Sequence, residues 1–155
     1  MPSIAADKIV DIDYSSLRRF ELPDIDRHGV WLFPRLRTAY KHLNDRQLIG
    51  WLRAICYSPE YQFNFQEHSV ALFQIMAAHT LSPQPIIYER FVFAADKDNP
   101  EHVAQASMFY PEAAKWGRHQ GAGALIVEQI SDVPHELIRD RLGRVLERKE
   151  MFFPL

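Results

Sequence analysis

The sequence predicts an α/β protein, a mixed central sheet with helices on both faces. Three observations lead there. "SVALFQIMAA" (69–78), "PIIYERFVFAA" (85–95) and "ALIVEQI" (124–130) are nearly continuous apolar runs of strand length, as expected of strands covered on both sides. Between residues 44 and 56 the apolar positions instead recur at helical spacing behind a capping signal. "FVFAADKDNPEHVAQASMFY" then passes from a strand through a charged turn into a helix start. The implied order is strand–helix–helix–strand–strand–helix–strand–helix–strand.

Length and composition narrow the function classes. A chain of 155 residues builds one domain with a full core and is short for two. With 18 Lys and Arg against 20 Asp and Glu, the chain carries no basic field of the kind that attracts nucleic acid. One cysteine, Cys56, leaves no internal disulfide framework and suits a reducing compartment. No apolar run has membrane-span length and the first residues lack a signal-peptide core, so a soluble intracellular domain with no membrane partner is expected.

Residues 1–28 are expected to form an N-terminal arm or extra strand, and residues 29–155 the domain. Val10, Ile12 and Tyr14 alternate as in a short strand, and "RRFELPDIDRHG" reads as an extended arm broken by Pro23 and Gly29. Leu22 and Ile25 need burial, on the domain itself or on a protein partner. "GVWLF" (29–33) reads as a brief strand ending at Pro34. From there the period is helical, with Leu36, Ala39, Tyr40 and Leu43 on one face. Asn44 is an N-cap with Gln47 at capping-box spacing. Leu48, Ile49, Leu52, Ile55 and Cys56 stripe the helix that follows, up to Ser58-Pro59.

Tyr57, Tyr61, Phe63 and Phe65 then form an aromatic cluster, which lines a pocket, presents a sticky surface or, most simply, alternates Tyr61, Phe63 and Phe65 as a strand into the core. "HTLSPQP" has the prolines of a turn between the two long apolar runs. Asn99 caps the next helix, with Pro100 in the first position and Glu101 at the positive end of the dipole. Pro111 lies inside this segment and costs about 3 kcal/mol in a helix interior, so a kink or break is expected. Gly121 closes the helix after Arg118 and His119. Ser131 or Asp132 is expected to cap a short helix carrying Leu137, Ile138 and Leu142 and ending at Gly143. "RVLERKEMFFPL" reads as a closing hairpin with a charged turn.

Other chemistry is sparse. The seven histidines include no metal-ligand spacing: His68 and His79 are far apart, and His119 and His135 read as surface residues. No metal is expected. Cys56 on an apolar stripe behaves as a small hydrophobe. Trp31, Trp51 and Trp116 are core anchors. Arg18, Arg19, Arg35 and Arg37 cluster in sequence and could meet an acidic partner. Glu89, inside an apolar strand, most simply pairs with Arg90, or one of the two reaches the sheet edge; a buried carboxyl with a raised pKa would also suit a general base.

The element order, with "YERFVFAADK" entering a helix, "KWGRHQGAGALIVEQ" and "IRDRLGRVLERKEMFF", resembles the GNAT N-acyltransferase superfamily over residues 29–155, and most of all its divergent bacteriophage versions. The resemblance implies acetyl-CoA lying between two parted central strands. Phe93, Ala94, Ala95 and the Asn99 helix start would be the cofactor-binding positions and Glu89 the catalytic base. It also implies a glycine-containing phosphate loop, and here the loop is "AADKDNPEH", with Asp96, Asp98 and Glu101 against Lys97 alone. The tyrosine that many members carry four residues before the late glycine is Arg139, a poor proton donor near neutral pH. The expectation is therefore a GNAT-fold protein without a working acyl-CoA site, serving as an interaction or structural module in a phage particle or its host cytoplasm, with an oligomer left open. An acetyl-CoA-dependent N-acyltransferase is the alternative.

Overall fold

A computed structural model describes residues 18–77, 83–127, 130–143 and 151–155. The elements are β1 (Arg18–Arg19), α1 (Asp24–Ala39), α2 (Asp45–Cys56), β2 (Tyr61–Gln66), β3 (Ser69–Met76), β4 (Ile86–Ala94), α3 (Pro100–Ser107), α4 (Phe109–His119), β5 (Ala124–Val127), α5 (His135–Leu142) and β6 (Met151–Pro154). The strands form one sheet in the order β1-β2-β3-β4-β5-β6. Only β4 and β5 run parallel; every other neighbouring pair is antiparallel.

The sheet separates two apolar layers. On one side Leu32 and Leu36 of α1 and Leu48, Leu52 and Ile55 of α2 pack on Phe63, Phe65, Leu72, Phe91 and Phe93. On the other, Ala106 of α3, with Phe109, Tyr110 and Ala113 of α4 and Ile138 of α5, packs on Phe73, Ile87, Val92, Leu125 and Phe153. Side chains alternate along a strand, so β3 sends Val70 and Leu72 to the first layer, and Ala71 and Phe73 to the second. On β4 the alternation breaks once. Leu72 pairs with Phe91 and Phe73 with Glu89, leaving Arg90 as the extra residue of a bulge. The bulge is why Ile87 and Val92 share a layer although an odd number of steps separates them.

Several expectations are met locally. Asn44 and Gln47 form the reciprocal capping box, at 2.8 and 2.9 Å. Tyr61–Gln66 is the plain strand, with Phe63 and Phe65 buried. Asn99 caps α3 through the Glu101 amide. The proline-bearing helix breaks at Met108, which leaves Pro111 in the first turn of α4, where its missing N–H costs nothing. Gly121, at φ +80°, ends α4: its N–H reaches Arg118 and that of Ala122 reaches Gly117.

Residues 20–39 need correction. Residues 24–39 are a single helix, so neither the extended arm over Asp24–His28 nor the strand over 29–33 exists. The expected boundary at 28/29 falls inside α1. Burial of Ile25, His28, Leu32 and Leu36 along one face outweighs Pro34. Pro34 and Val30 are both exposed, so the carbonyl that loses its helical partner lies on the wetted face. Phe20 is wholly buried and stacks on Phe63 at 4.2 Å, so this part of the arm belongs to the core. The strand expected at "KIVDIDY", most of the "HTLSPQP" turn and the first part of the closing hairpin fall outside the described residues. Neither Ser131 nor Asp132 caps α5; its N-cap position is Pro134, and both side chains are engaged elsewhere.

Candidate functional site

Strands β4 and β5 pair from Ile86/Ala124 to Tyr88/Ile126 and then part. They meet again through Val92, whose N–H reaches the Ile130 carbonyl at 3.2 Å and whose carbonyl accepts from Asp132 N at 3.0 Å. Glu89, in the bulge between these points, is fully buried on the α4 side. Its Oε2 accepts the Tyr110 hydroxyl at 2.5 Å. Tyr110 has one proton to give, so at 2.6 Å the Ser131 hydroxyl donates to it, while Ser131 Oγ accepts from Val133 N at 3.1 Å. A one-directional chain therefore crosses the parted strands: Val133 to Ser131 to Tyr110 to Glu89. Burial, then Glu89 itself, pushes the Tyr110 hydroxyl well above its ordinary value of 10.0.

The expected Glu89–Arg90 ion pair is not formed. Consecutive strand residues face opposite layers, and Arg90 instead donates to Gln74 Oε1 at 2.8 and 2.5 Å.

A cleft of about 630 Å³ opens where β4 ends, lined by Arg35, Phe93, Asp96, Lys97, Asp98 and Asp132 among others. Arg35 lies over the Phe93 ring at 4.8 Å, donates to the Ala94 carbonyl at 3.2 Å and pairs with Asp132. Asp132 also accepts the Ala94 N–H at 2.9 Å. Arg35 is thus spoken for, and the remaining wall carries Asp96 and Asp98 against Lys97.

The helix start is equally occupied. Ala95 N donates to the His68 carbonyl, Asp96 N to His102 Nδ1, Asp98 N to Asp96 Oδ1, Asn99 N to the Asp96 carbonyl and Glu101 N to Asn99 Oδ1. Pro100 has no N–H to offer. A diphosphate approaching this junction would compete with bonds already made and with carboxylates of its own sign. Of the positions that the resemblance offered for a cofactor, Phe93 and Ala95 line the cleft, and Ala94 and Asn99 lie next to its lining residues in sequence.

The other candidates scatter. Arg19 donates to the Cys56 carbonyl at 2.7 Å and Arg37 pairs with Asp45 at 2.6 and 2.8 Å, so Arg19, Arg35 and Arg37 of the expected cluster each make separate local contacts. Cys56 is buried, and burial pushes its thiol up. Arg139 is exposed on α5. Among the described residues no group of three potential ligands could hold a metal, and no helix is long and apolar enough to cross a membrane. Sequence reasoning missed Tyr110, which no local pattern marks, placed Arg35 in a surface cluster rather than at the cleft, and misassigned Ser131 and Asp132 to a helix cap.

No protein-family model and no curated protein matches the chain. Among solved structures it is similar to the crystal structure of an acetyltransferase from Vibrio fischeri: 11% identity, 76% of this chain and 97% of that chain covered, TM-score 0.50. At that identity the likeness speaks to architecture alone. The superposition covers most of both chains, and the chain has a GNAT-like α/β fold with a mixed sheet.

Proposed function

We propose that this GNAT-like chain is a binding module without acyl transfer activity. The observation that carries the reading is the occupancy of the β4–α3 junction: of the seven residues from Ala95 to Glu101, five bond their main-chain amides within the protein and Pro100 has no N–H, which leaves Lys97 alone to offer one. The burial of Glu89 adds to it, since a base with no solvent-accessible surface cannot meet an incoming amine without rearrangement. The partner is a protein, engaged through the segment preceding Arg18. The virion setting is supported by the sequence resemblance alone; portal or tail genes flanking this gene would support it, and a metabolic operon would count against it.

The alternative, an acetyl-CoA-dependent N-acyltransferase with Glu89 as base, draws on the parted strands beside that carboxyl. Calorimetric titration with acetyl-CoA separates the two. The binding-module reading expects no heat at millimolar ligand; micromolar affinity would overturn it in favour of the enzyme.

A further inference from the structure

The turn between β2 and β3 and the first turn of α3 meet in a pair of stacked imidazoles. The His68 and His102 rings lie 4.2 Å apart and 15° from parallel. Nδ1 of His102 accepts the Asp96 N–H at 3.2 Å, and the His68 carbonyl accepts the neighbouring Ala95 N–H at 2.8 Å. The two histidines therefore hold successive amides of the segment that walls the cleft. An imidazole nitrogen accepts a hydrogen bond only in the neutral ring; in the imidazolium both nitrogens donate. Histidine is also the side chain whose ordinary ionisation falls between pH 5 and 8.

We propose that the His68–His102 stack is a pH-sensitive latch on the cleft wall, closed when His102 is neutral and released when it is protonated. The ionisable groups around the pair are Glu67, whose Oε1 lies 3.6 Å from His68 Nε2, the loop residues Asp96, Lys97 and Asp98, and Glu101, which precedes His102 on α3. A second proton on His68 would set two cations face to face and drive the rings apart. The latched state holds fewer protons than the released state, so the latch strengthens as pH rises and opens as pH falls through the histidine range. None of this depends on whether acyl-CoA binds.

The test is hydrogen exchange at the Asp96 amide, followed by NMR on the full chain at neutral pH and about one unit below the histidine midpoint. Protection, corrected for intrinsic exchange, should fall about five- to tenfold, the size of one neutral hydrogen bond. His102→Asn places a non-titrating Oδ1 where Nδ1 was and should keep protection level across the same range. Unchanged protection in the native protein, or an equal fall in His102→Asn, overturns the latch. If the variant does not fold, the His102 ring protons and the Asp96 amide shift of the native protein must titrate with one midpoint; two distinct midpoints overturn it equally.

Discussion

Tyr110 is the residue on which the parted strands depend. It closes the gap that the parallel ladder leaves between Tyr88 and Val92, bonding Glu89 on one side and Ser131 on the other. Tyr110→Phe keeps the ring but removes this donor from a buried carboxyl and this acceptor from Ser131. Leaving buried polar groups short of a partner costs about 1–3 kcal/mol, and urea unfolding at neutral pH should show a loss in that range. The sign of the pH dependence is fixed as well. A tyrosine whose folded-state pKa lies above its unfolded value contributes stability that is complete below about pH 10 and lost as pH rises through the folded value. The stability gap between the native protein and Tyr110→Phe should therefore narrow from about pH 9 to about pH 11. A gap that stays constant would mean the hydroxyl is not held in its neutral form by burial.

At the scale of elements, two helical glycines give opposite expectations for the same substitution. Gly50 on α2 has open space where a Cβ would go, so Gly50→Ala should stabilise by about 0.5–1 kcal/mol through backbone entropy alone. At Gly117 on α4 a Cβ would lie 2.7 Å from Ile87 Cγ1 and 3.1 Å from Leu155 Cδ1. Helix and sheet approach too closely there for a methyl, and overpacking of about 1–3 kcal/mol should exceed the same propensity gain. Paired thermal melts check both signs, and a stabilised Gly117→Ala would show that α4 sits loosely on the sheet. Neither contrast is legible in the sequence, because both glycines occupy helices with a clear apolar stripe. The elements themselves were legible wherever local chemistry and burial agreed, as in the Asn44 cap and the runs that became β3 and β4. They were hidden where the two conflict. Pro34 signals an end to local structure, yet α1 continues through it because Leu32 and Leu36 are buried on the same face.

At the scale of the molecule, the sheet places residues distant in sequence around one gap, and that is why the site was only half readable. Glu89 and the acidic helix start announce themselves locally; Tyr110, Arg35 and Asp132 become significant only once α4, α1 and the segment after β5 converge on the end of β4. The same convergence bears on where the folding unit begins. Phe20 stacks on Phe63 and meets Phe65 edge-on at 5.8 Å, and His28 meets Phe65 at 4.9 Å. A fragment of residues 29–155 loses β1, Phe20, His28 and the first turn of α1, and exposes the phenylalanine face of β2. Deleting one buried aromatic side chain costs about 3–5 kcal/mol, a large share of the 5–15 kcal/mol by which a domain is stable. A fragment of residues 18–155 keeps every one of these contacts. It should unfold in one cooperative transition, while 29–155 should show none and should bind a hydrophobic dye. Cooperative unfolding of both fragments would show that the layer formed by α1 and α2 is complete without its N-terminal strand.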